Sequence, residues 1–86
     1  PALTATEQQL VALAPHLDDA EIAILADALD HDLDVRIRYR NNAGNRTTRD
    51  IRPQSLFDRW LGAWCHLRGG ERDFAVAGIE YVAAVD

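Results

Sequence analysis

The sequence predicts an α+β fold: an N-terminal helical segment followed by five short antiparallel strands that curl into a small β-barrel. Three observations carry this. Apolar residues recur at helical spacing up to about residue 32, then alternate strictly from "LDVRIRYR" onward. Tight-turn signals, "NNAGN" and "RGGE", separate the alternating stretches. The chain has 86 residues, so it has room for one small sheet and a helix or two, burying about 60–65 % of its unfolded surface.

The elements follow in order. Thr6 with Gln9 three residues on gives a capping pattern for a first helix, which carries Leu10, Val11 and Leu13 and is ended by Pro15. Asp18 with Glu21 caps a second helix, whose Ile22, Leu25, Ala26 and Leu29 share a face. Asp30 and Asp32 sit at the negative end of that helix's dipole and call for a nearby cation, with His31 the nearest candidate. In "LDVRIRYR", Leu33, Val35, Ile37 and Tyr39 face one way and Arg36, Arg38 and Arg40 the other. Gly44 supplies the positive φ of the next turn, and "RTTRDIRP" returns as a second strand ended by Pro53. "QSLFD" stays open between strand and loop. "RWLGAWCHL", "RDFAV" and "IEYVAAV" supply the third to fifth strands. Strands this short protect their edges best by curling. The expected division is an acidic helical segment over 1–32 and a β-barrel over 33–86.

Charge is distributed unevenly. Residues 1–34 hold eight acids and no base, whereas residues 35–86 hold nine arginines against six acids, and lysine is absent. An asymmetry of this kind marks an anion-binding surface, or else only solvates the exterior. No apolar run reaches the length of a membrane span, so no membrane partner is expected. The start, "PALTATEQQL", has no signal-peptide pattern and reads as the beginning of an excised piece of a larger protein. One cysteine rules out an internal disulfide and fits the cytoplasm. Cys65 and His66 are neighbours on a strand and point to opposite faces, so they form no nucleophile–base pair. Neither metal-ligand spacing nor a glycine-rich phosphate loop occurs. The expectation is a non-catalytic module with no cofactor and no metal.

Parity singles out certain arginines. Arg49 points with Ile51, Arg72 with Phe74 and Val76, and Arg59 with Leu61, Ala63 and Cys65. Desolvating an unpaired guanidinium costs several kcal/mol. Either Asp50, Asp58, Glu71 or Glu80 pairs with these groups, or they converge and hold an anion, for which the planar guanidinium fork is suited. Arg36, Arg38 and Arg40 read as a solvated face. Trp60 and Trp64 share a face with His66, and Gly62 leaves a gap between the two rings where a flat base would fit. The other reading has the rings covering a helix or closing the barrel.

From residue 33 to about 85 the chain resembles the WYL domain family. Ile37 and Tyr39 match its first strand, and Gly44, Arg49, Ile51 and Pro53 its second. "RWLGAWC" stands where the Trp-Tyr-Leu run belongs, with Arg59 for Trp, Trp60 for Tyr and Leu61 matching; Arg72, Phe74 and Ile79 complete the pattern. The resemblance implies a barrel similar to Sm-like and SH3-like folds, in bacterial transcription regulators or beside helicase modules. It implies a ligand-sensing role, with a nucleotide or single-stranded nucleic acid bound in a basic pocket and a DNA-binding or helicase domain tethered alongside. Arg49 and Arg72 are the residues it carries over, with Tyr39, Trp60, His66 and Arg68 as neighbours. The alternative is a structural protein-interaction module, including a homodimer, whose arginines are paired internally.

Overall fold

The computed structural model describes residues 2–85. Two helices come first, α1 (Ala5–Leu13) and α2 (Asp19–His31), and each opens with a full capping box. The cap of α1 is Thr4, not the expected Thr6. Its side chain accepts from the Glu7 N–H, and Glu7 Oε1 accepts from the Thr4 N–H at 3.0 Å. Both threonines have a suitable residue three positions on. A carboxylate at the positive end of the helix dipole makes a stronger partner than the neutral Gln9 amide. Thr6 lies inside the helix and donates its hydroxyl to Asp30 at 2.8 Å.

The box at α2 is the predicted one, Asp18 with Glu21. The helix ends at Asp32 in the left-handed region (φ 54°), and the Leu33 N–H returns to the Ala28 carbonyl. Leu33 therefore belongs to the helix cap rather than the strand alternation, and is exposed. His31 Nδ1 turns back to Asp27 at 2.9 Å, so it is not the cation expected beside Asp30 and Asp32.

Five strands follow: β1 (Val35–Arg40), β2 (Arg46–Phe57), β3 (Trp60–Cys65), β4 (Gly70–Ala75) and β5 (Ile79–Ala84), with a 3-10 turn (Val76–Gly78) before the last. They form one antiparallel sheet in the order β4-β3-β2-β1-β5, so the α+β class is the one predicted. In β1, Val35, Ile37 and Tyr39 are buried and the three arginines between and after them exposed, as alternation requires. Pro53 does not end β2. The strand continues through "QSLF" to Phe57, leaving Asp58 to the turn, and a bulge between Pro53 and Ser55 accommodates the missing N–H.

The expected barrel does not close, since no ladder joins β4 to β5 among the described residues. The sheet does curl. Phe74 of β4 meets Tyr39 of β1 edge-on with ring centroids 4.9 Å apart, and the Tyr39 hydroxyl accepts the Ala75 N–H at 3.0 Å. The 3-10 turn then lifts the chain off β4 and carries it across to β1. Gly78 makes this crossing possible, because a Cβ there would stand 2.7 Å from the Arg40 carbonyl oxygen.

Helix α2 packs against β5, β2 and β1. Leu10, Ile22 and Leu25 of the helices share one core with Val35, Ile37, Ile51, Leu61, Phe74 and Ile79 of the strands and Val76 of the turn. Helix α2 and the connection before it also guard the β5 edge. His16 Nε2 lies 2.7 Å from the Ile79 carbonyl oxygen, and Glu21 Oε2 accepts the Val82 N–H at 3.1 Å. No described helix is long and apolar enough to cross a membrane.

Candidate functional site

The inner face of the sheet carries two half-buried arginines beyond the apolar core. Arg49 pairs in register with Ile37, and Arg72 with Ala63. Curling brings both guanidinium groups to one ring, with the Arg49 carbon 5.8 Å and the Arg72 carbon 5.1 Å from the Phe74 centroid. Arg72 also lies 5.9 Å from the Tyr39 ring. Arg49 Nε donates to Thr47 Oγ1 at 2.9 Å, and Nη1 to Cys65 Sγ at 3.5 Å. Neither arginine has a carboxylate partner among the described residues.

Cys65 responds to this setting. Burial pushes its thiol pKa up, but the Arg49 guanidinium and the backbone N–H groups of Arg68 and Leu67 outweigh burial and bring it below the ordinary value.

Of the six residues expected at the site, the structure brings Arg49, Arg72 and Tyr39 together. Trp60 lies on the outer face, under the Arg59 guanidinium at 4.8 Å from its centroid. Arg59 is not on the buried face with Leu61. It sits in the β2–β3 hairpin turn beside Asp58, whose φ is 52°, and is exposed. His66 follows the end of β3 and approaches Asp34 at 3.1 Å. Arg68 is exposed in the β3–β4 turn. The gap expected at Gly62 is filled: a Cβ there would stand 2.7 Å from Ser55 Oγ and 3.6 Å from both Phe57 Cε1 and Asp73 Oδ1. The β2 bulge places Ser55 opposite Gly62, so no slot remains between the tryptophans.

Phe74, Thr47 and Cys65 are the residues that sequence reasoning did not place at the site. Their parity was the available signal, since Thr47 shares a face with Arg49, and Phe74 with Arg72.

The outer face treats its arginines differently. Arg36 grips Asp50 with two bonds at 2.8 and 3.1 Å, Arg46 meets Glu80 at 2.9 Å, and Arg52 meets Asp34 at 2.9 Å. The Arg36 bond holds the Asp50 carboxyl below the usual range. Slight burial pushes Asp34 up, but His66 and Arg52 outweigh it, and its pKa is also lowered. No three His, Cys, Asp or Glu side chains among the described residues are grouped to hold a metal.

Comparison with known proteins adds the following. A family model described as WYL domain matches residues 20–84. Among solved structures, Proteasome accessory factor B/C (PafBC) of Arthrobacter aurescens is similar, with a TM-score of 0.64 and 23% identity. The match covers 95% of this chain and 12% of that one, and it shows a shared fold. No curated protein matches the sequence.

Proposed function

The chain belongs to the WYL domain family, and from that premise we propose that it is a non-catalytic, ligand-sensing regulatory module that binds a nucleotide or single-stranded nucleic acid at Arg49 and Arg72. One observation carries the reading. Two guanidinium groups converge on the Phe74 ring, half-buried, with no carboxylate to neutralise them among the described residues. Their partial desolvation strengthens an added phosphate contact, and the ring and Tyr39 hold their stems in place. The module would act in the cytoplasm, tethered to a DNA-binding or helicase domain that it regulates.

The test is fluorescence anisotropy with an end-labelled oligonucleotide, because both tryptophans lie away from the site. Arg49→Gln and Arg72→Gln should each weaken binding about tenfold or more, since a hydrogen bond to a charged group contributes about 1.5–3 kcal/mol. Melting curves should stay close to the wild type. Unchanged affinity in the double variant would overturn the reading. It would favour a protein-interaction module instead, in keeping with the open β4 edge and the internal pairing of Arg36, Arg46 and Arg52.

A further inference from the structure

The outer face of β1 presents Arg36, Arg38 and Arg40 in a row. Residues two apart on a strand are separated by about 6.6–6.8 Å, close to the spacing of successive phosphates along an extended single strand. Arg36 is held by Asp50, whereas Arg38 and Arg40 have no carboxylate partner among the described residues. Beside them, in register with Arg38, stands Tyr81 of β5, 45% exposed, with the Arg38 guanidinium 5.6 Å from its ring centroid. A row of cations next to an exposed ring is the combination that holds a single strand, the phosphates on the cations and a base on the ring.

This row is connected to the inner site. β3 ends at Cys65, opposite Ile51, so the β2 segment before Asp50 has no strand on that side. The groove left there, of about 410 Å³, is lined by Arg36, Thr48, Arg49, Asp50, His66 and Leu67. It joins a residue of the inner pair, Arg49, to the first residue of the outer row, Arg36.

We propose that the outer row extends the inner site: a single strand of nucleic acid held at Arg49 and Arg72 passes over the exposed β2 edge onto Arg38, Arg40 and Tyr81. This rests on the reading of Arg49 and Arg72 given above. Charge and stacking together favour nucleic acid over an acidic protein segment, which would use the arginines but gain little from the exposed ring.

The experiment measures binding of a mononucleotide, of oligothymidylates of rising length, and of poly-glutamate to the 86-residue chain. Wild type is compared with R38Q/R40Q, Y81A and R49Q/R72Q. The three outer residues are exposed, so these variants should keep the wild-type melting curve. Affinity should rise with oligonucleotide length. R38Q/R40Q should weaken the longer strands about tenfold and reduce the slope of log affinity against log salt by about 1.4, at roughly 0.7 per phosphate contact. Y81A should weaken them about fivefold, and neither variant should change mononucleotide binding. Affinity independent of length, or unaffected by the outer variants, would overturn the proposal while leaving the inner site standing. Poly-glutamate binding as tight as the longest strand, and equally insensitive to Y81A, would point to an acidic protein and overturn it too. Mononucleotide binding unaffected by R49Q/R72Q would instead remove the reading on which the proposal rests.

Discussion

Three arginines on the outer face of the sheet and the two on its inner face solve the same problem, an arginine in a strand, in opposite ways. On the outer face Arg36, Arg46 and Arg52 each meet a carboxylate. On the inner face Arg49 and Arg72 meet an aromatic ring, a hydroxyl and a thiol. Strand register explains the difference. Asp50 stands directly opposite Arg36 on the outer face, and Glu71 and Asp73 have the same outward parity, opposite Trp64 and Gly62. Glu80, the remaining strand acid, falls at the β1–β5 register shift and is taken by Arg46. The inner arginines therefore lack partners because of where the acids lie, although the chain as a whole carries more acids than bases.

The largest way to break this contrast is to remove the ring on which the inner pair rests. Phe74→Ala should cost about 3–5 kcal/mol in urea unfolding, because Phe74 is fully buried and in contact with Tyr39. A loss below about 1 kcal/mol would mean that the ring is not the platform described. Next is Gly78→Ala. Its Cβ would press on the Arg40 carbonyl, and we expect a cost of about 1–3 kcal/mol, read in the same way. Smaller again is Tyr39→Phe, which removes only the hydroxyl that accepts the Ala75 N–H. It should cost about 1 kcal/mol and loosen β4 against β1, visible as faster amide exchange at Ala75.

The smallest effect sharpens the contrast from the outer side. Asp34 and Asp50 have folded-state pKa values below their unfolded ones. Their contribution is therefore present above an unfolded carboxylate pKa of about 3.9 and is lost as pH falls from there through the lowered folded values. Both pairs are largely exposed, so the acid-induced loss should be slight. Asp50→Asn should reduce the fall in melting temperature between pH 6 and pH 3. Arg49→Gln should leave that fall unchanged, since Arg49 touches neither acid.

Much of this was legible in the residues. The change of period in "LDVRIRYR" located the first strand, though two residues early, and Asp18 with Glu21 located α2, because both signals are local. Arg49 and Arg72 were legible as inward-pointing from parity alone. What escaped depended on distant contacts. Thr4 and Thr6 both offered a capping pattern; Glu7 favours Thr4, and the meeting of Thr6 with Asp30 across the helix pair gives the second threonine another role. The bulge after Pro53 shifts register, so Ser55 fills the space at Gly62 that alternation alone leaves empty. Closure of the sheet was overestimated, since no local pattern announces that the turn at Val76–Gly78 leaves the β4 edge. The meeting of both arginines on Phe74 likewise comes from curl, a property of the whole sheet.

Glu21 has one further consequence. Its Oε1 closes the capping box of α2 with the Asp18 N–H, while its Oε2 takes the Val82 N–H of β5. A single carboxylate thus belongs to both a helix terminus and a sheet margin. The first turn of α2 cannot fray without releasing an amide of the outermost strand, so the two open as one cooperative unit. An event that draws α2 away would reach β1 through β5, and with β1 the three arginines of its outer face.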